Sequence, residues 1–106
     1  MRRLRGLYAI TPDPSPENQV LIQQVSAALT GGARVVQYRE KSKQPRKRRA
    51  EAGALLALCR QADVPLIIND DPQLAAEIGA DGVHLGRDDQ DLATARRLLG
   101  PEAIIG

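Results

Sequence analysis

Three polar side chains, Asn69, Asp70 and Asp71, follow directly on the apolar run Leu66–Ile68 in the stretch LIINDDP. Earlier in the chain Gln37, Arg39 and Lys41 alternate with Val36, Tyr38 and Glu40, and a strand sends two such sets to opposite faces. A third group, His84 followed by Arg87, Asp88 and Asp89, closes the apolar stretch DGVHLG and its flank. Carboxylates from separate loops suit Mg2+, which keeps several waters and binds through one or two carboxylates together with a substrate phosphate. Arg and Lys beside them offer donors to the remaining phosphate oxygens, Arg as a planar fork and Lys as a point charge. These residue types point to a Mg2+–diphosphate site, provided one scaffold brings the three segments to a common rim.

The elements that must do so alternate regularly. Residues 6–11 (GLYAIT), 33–41 (ARVVQYREK), 64–70 (VPLIIND), 81–86 (DGVHLG) and 103–106 (AIIG) have the short apolar character of strands. Between them lie four helical stretches. The first has Ser15 as expected N-cap and Pro16 at its first position, carries Leu21, Val25, Ala28 and Leu29, and stops at Gly31-Gly32. Pro45 opens the second, with Ala52, Leu55, Leu56, Cys59 and Ala62 as one apolar stripe. Asp71 caps a short third helix that Gly79 ends, and Asp88 or Asp89 caps a fourth that Gly100-Pro101 stops. Such alternation with short connections predicts a parallel sheet covered by helices, either an open doubly wound sheet or part of a (β/α)8 barrel. In both, reactive groups gather at the carboxyl ends of the strands, where Asn69 and Asp70 fall.

Composition narrows the classes. With 15 Lys and Arg against 13 Asp and Glu the formal charge is only +2, too balanced to argue for nucleic acid. The single cysteine, Cys59, excludes an internal disulfide and fits a reducing compartment. The basic start MRRLRGLYAIT lacks the apolar run of a signal peptide, and no segment approaches the ~20 apolar residues of a membrane span. The expectation is a soluble, cytoplasmic protein with small-molecule substrates.

The segments LYAIT, GGARVVQYREK, LIINDD, GADGVHLGRDD and ARRLLGPEAIIG, in this order and spacing, resemble the amino-terminal half of the thiamine phosphate synthase family. The resemblance implies a TIM-type (β/α)8 barrel, of which residues 1–106 are the first four βα units and the start of a fifth strand. It implies a transferase of thiamine biosynthesis that joins hydroxymethylpyrimidine diphosphate to a thiazole phosphate, releasing diphosphate, with Mg2+ as cofactor. Carried over by residue, it sets Gln37, Tyr38, Arg39, Glu40, Lys41 and Asn69 against the pyrimidine diphosphate and makes Asp70 and Asp89 the metal ligands. Arg39 and Lys41 become the groups that stabilise the leaving diphosphate. The family's thiazole phosphate loops match nothing here, so the resemblance implies that these 106 residues hold one half of a site and are inactive alone. An uncovered sheet edge allows self-association into a homo-oligomer.

Plainer readings stand beside these. Asp71 is expected to be only a cap, and Asp88 a cap or a support for the metal ligand. The six cations of Lys41–Arg49 read as a solvated helix face without interleaved aromatics. His84 reads as a hydrogen-bonded core residue and Cys59 as core. Three rival functions remain in view. The first is a thiazole tautomerase-like relative, which needs no metal pair. The second is a phosphoacceptor module, which expects acidic residues where the first strand ends in Ile10-Thr11. The third is a non-catalytic half-barrel phosphate-binding module.

Overall fold

The computed structural model describes residues 8–13, 15–40, 44–85 and 89–105, with residues 89–91 as backbone only. Five strands alternate with four helices: β1 (Tyr8–Ile10), α1 (Asn18–Thr30), β2 (Val35–Tyr38), α2 (Pro45–Ala62), β3 (Leu66–Asn69), α3 (Pro72–Ile78), β4 (Gly82–His84), α4 (Asp89–Leu99) and β5 (Ile104–Ile105). All pair in parallel, in the order β1-β2-β3-β4-β5. A doubly wound sheet reverses its strand order at a switch point. This one never reverses, so every crossover runs the same way, as in a (β/α) barrel.

The core lies on one side of the sheet. Val36 and Tyr38 of β2, Leu66 and Ile68 of β3, Val83 of β4 and Leu85 just after it pack against the helix layer. That layer contributes Leu21 and Val25 of α1, Ala52, Leu55 and Cys59 of α2, Leu74 and Ala75 of α3 and Ala95 of α4. Each fully buried aliphatic side chain stabilises by about 1.5–3 kcal/mol, so the helix-side face carries the fold. The other face is open: Tyr8, Ile10 and Ile104 remain 48%, 52% and 50% exposed.

Local chemistry sets the helix ends. Asp71 caps α3 as expected, its Oδ1 accepting from the Leu74 N–H at 2.9 Å, with Pro72 at the first position. The end of α2 is Asp63 in the left-handed region (φ 58°), where the sequence offers no glycine. The start of α1 differs from expectation: Glu17, not Ser15, is the N-cap, and no side chain caps the helix. The reason is a long-range bond. The Ser15 N–H donates to the Glu40 carboxylate, which draws residues 15–17 to β2 before the helix begins. α4 begins at Asp89; Asp88 lies outside the described residues. At the sheet's far edge, a methyl group on Gly82 would sit 2.0 Å from the Ile104 carbonyl oxygen, so β4 and β5 approach closely only because Gly82 has no side chain. No described helix is long and apolar enough to cross a membrane.

Candidate active site

Strand register gathers the polar residues. Ile10 pairs with Gln37, Gln37 with Ile67, and Asn69 with His84, so these side chains share the open face. At the carboxyl ends Tyr8, Ile10, Gln37, Arg39, Asn69, Asp70 and His84 line a cup of about 570 Å³, within the roughly 300–1,000 Å³ typical of small-molecule sites.

A hydrogen-bond chain crosses its floor. Asn69 Nδ2 donates to Gln37 Oε1 at 3.0 Å, and Gln37 Nε2 donates to the Tyr8 hydroxyl at 2.8 Å. Asn69 Oδ1 is buried and has no partner among the described residues. Thr11 ties β1 to β2: its N–H donates to the Gln37 carbonyl, and its Oγ1 accepts from the Arg39 N–H, both at 2.9 Å. This fixes the Arg39 backbone while the side chain stays exposed, with no ion pair among the described residues.

Asp70 is held differently. Its φ is +60°, a left-handed backbone that Asp tolerates better than most residues. Its N–H donates to the His84 carbonyl at 2.7 Å, a rung of the parallel β3–β4 ladder, so the left-handed turn begins directly at the end of the paired strand. No three or more His, Cys, Asp or Glu side chains among the described residues converge as a closed metal cage. One exposed carboxylate among the described residues of a polar rim nevertheless fits Mg2+, which needs only one or two from the protein.

Tyr38 and Glu40, expected against the substrate, do not join the cup. Strand alternation turns both into the helix layer, each 1% exposed. The Tyr38 hydroxyl donates to Glu51 Oε1 of α2 at 2.6 Å. Burial, and then the Glu51 hydrogen bond, push the Tyr38 phenol well above its ordinary range. The Glu40 carboxylate takes the Ser15 N–H and faces Lys47 Nζ at 3.8 Å. Lys41 lies outside the described residues, and so does the Asp89 side chain, although its backbone opens α4.

His84, expected in the core, is exposed on the cup, because Val83 takes the helix-facing position of this short strand. Cys59 is fully buried as expected; burial, then the Asp81 charge, push its thiol up to about 11. Sequence reasoning missed Tyr8, Thr11 and Glu51. Tyr8 was findable, since it lies two residues before Ile10 on one strand face. The basic run is also not uniformly solvated. Arg48 Nη1 pairs with Asp71 Oδ2 at 2.7 Å, and its side chain is 18% exposed. A second cleft of about 370 Å³ between α2 and α3 is lined by Arg48, Arg49, Asp71 and Glu77. Its charges are paired with one another, which leaves less for a ligand than the cup offers.

Comparison with known proteins accords with this geometry. The thiamine monophosphate synthase family matches residues 7–106. The thiamine-phosphate synthase of Marinobacter nauticus is 57% identical over 101 residues, covering 95% of this chain and 46% of its own length. That of Aromatoleum aromaticum is 53% identical over 104 residues, 98% of this chain and 50% of its own. The structure of thiamine phosphate pyrophosphorylase from Pyrococcus furiosus superposes with a TM-score of 0.78 at 32% identity, covering 95% of this chain and 49% of that one. The chain thus spans about half the length of these relatives, their amino-terminal portion. A cup at the carboxyl ends of sequentially ordered parallel strands, and a match along nearly the whole chain, make this a member of the thiamine monophosphate synthase family.

Proposed function

We propose that the cup is the pyrimidine diphosphate half of a thiamine-phosphate synthase site. The observation that carries the reading is the convergence, on one open face, of the Asn69–Gln37 amide pair, an exposed Arg39 and an exposed Asp70. In this reading the amides hydrogen-bond the pyrimidine, Arg39 with Lys41 takes the diphosphate oxygens, and Asp70 with Asp89 holds Mg2+. Bound Mg2+ adds positive charge at the diphosphate and so improves it as a leaving group. The bond between the pyrimidine methylene and the diphosphate oxygen breaks with its electron pair going to diphosphate. The thiazole nitrogen lone pair then forms the new carbon–nitrogen bond. Preorganised charge is the main requirement of such a step, and no general base is needed. Tyr38 and Glu40 serve it indirectly, by anchoring β2 to α1 and α2.

Calorimetric titration of the chain with hydroxymethylpyrimidine diphosphate tests the reading. Binding should require Mg2+ and weaken at least tenfold in Asn69→Ala. Equal affinity with Mg2+ and with a chelator would remove the metal from the assignment.

A further inference from the structure

Arg48 touches both rim loops without reaching the cup. Its Nε donates to the Glu40 carbonyl oxygen at 3.2 Å, and its Nη1 to Asp71 Oδ2 at 2.7 Å. Glu40 follows Arg39 directly, and Asp71 follows Asp70. One guanidinium therefore grips the neighbour of the exposed cation and the neighbour of the exposed carboxylate. Both ends of the grip are fixed. The Arg48 N–H donates to the Gln44 carbonyl in the first turn of α2. The other Asp71 oxygen caps α3, and the Asp70 N–H is held by the His84 carbonyl. A planar fork with several donors can bridge a carbonyl and a carboxylate at once, which a lysine ammonium does poorly.

We infer that Arg48 is a positioning residue: a clasp between the β2–α2 and β3–α3 loops that sets the separation of Arg39 from Asp70. A ligand spanning both groups, as a metal-chelated diphosphate does in the function proposed above, feels that separation. An anion that needs only Arg39 does not. The inference rests on that functional reading, and its test distinguishes the two.

The full chain, as wild type, Arg48→Gln, Arg48→Lys and Asp71→Asn, is titrated with inorganic diphosphate at saturating Mg2+ and separately with orthophosphate. Asp71→Asn keeps a good helix cap while losing the ion pair, so it stays informative if Arg48→Gln folds poorly. Residues that orient direct ligands typically carry 10–100-fold in affinity. Each variant should therefore weaken Mg2+–diphosphate binding at least tenfold and orthophosphate binding less than threefold. Arg49→Gln is the control: it breaks the exposed Arg49–Glu77 pair, which also joins α2 to α3 at 2.6 Å but, among the described residues, touches neither loop. It should leave both affinities unchanged. Wild-type affinity for Mg2+–diphosphate in Arg48→Gln and Asp71→Asn, or equal weakening of both anions, overturns the clasp and leaves the cup assignment standing. Absence of Mg2+–diphosphate binding in the wild type overturns both.

Discussion

Asp70 carries two separable properties, a left-handed backbone and a carboxylate, and three substitutions pull them apart. Its φ of +60° costs an ordinary L-residue about 1–2 kcal/mol, less for Asn and Asp and nothing for Gly. Stability by urea unfolding should therefore rank Gly, Asn and Asp within about 1 kcal/mol of one another, with Ala roughly 1 kcal/mol below Gly. Ligand linkage should rank them otherwise. Mg2+–diphosphate at 100 times its dissociation constant stabilises the native state by about 2.7 kcal/mol. For a domain of this size that raises the melting midpoint by roughly 10–20 °C. If Asp70→Asn weakens binding a hundredfold, the same ligand concentration gives only RT ln 2, about 0.4 kcal/mol, or roughly 2–3 °C. Gly and Ala variants should behave likewise. The assay is a thermal melt with and without Mg2+–diphosphate. A full ligand shift in Asp70→Asn would refute the metal role, and Ala as stable as Gly would refute the backbone reading.

Two further outcomes are expected. Arg39→Ala should weaken diphosphate binding at least tenfold even at saturating Mg2+, because in the proposed site the guanidinium would add donors that the metal does not replace; calorimetry with metal in excess checks it. Alkaline stability should fall in two stages, since Cys59 and Tyr38 both have folded values raised above their unfolded ones. The stabilisation is complete below the unfolded value and lost as pH rises. Cys59, pushed up to about 11 from an ordinary thiol near 9, accounts for a loss on the order of 2–3 kcal/mol between pH 9 and 11. Tyr38 adds to the slope above about pH 10. Urea unfolding across pH 8–11 should be flatter in Cys59→Ala from pH 9 and in Tyr38→Phe only from pH 10; parallel curves would show that neither group titrates on unfolding.

The βα rhythm was legible because apolar runs of strand length alternate with stripes at helical spacing, and Pro45 and Asp71-Pro72 mark helix starts without ambiguity. What sequence left open was tertiary. The strand order that excludes a doubly wound sheet depends on crossovers that no local pattern encodes. β4 is only three residues long, too short for a period of two to reveal that His84 faces the cup and Val83 the core. Ser15 has the chemistry of a cap, but its N–H is claimed by Glu40, 25 residues away. Arg48 was hidden differently: among four consecutive cations, Arg46 to Arg49, nothing local tells the one that grips two loops from those that face solvent.

The two faces of β2 explain why polar residues on both sides of a strand do not contradict each other. Buried polar groups cost free energy unless paired, and the helix-side pair meets that condition within the chain. Tyr38 has Glu51, and Glu40 has the Ser15 N–H and Lys47. The cup side is left incomplete. Asn69 Oδ1 is buried without a partner, and Arg39 and Asp70 have no ion pair among the described residues. One face therefore uses its polarity to hold β2 against the helices, and the other leaves its polarity unanswered among the described residues. A ligand able to answer that face must accept from a guanidinium, donate to an amide oxygen and bring, or be bound with, positive charge for a carboxylate. A pyrimidine diphosphate chelated to Mg2+, the ligand of the function proposed above, would answer the guanidinium and the carboxylate at once, and a donor on its ring would answer the amide oxygen.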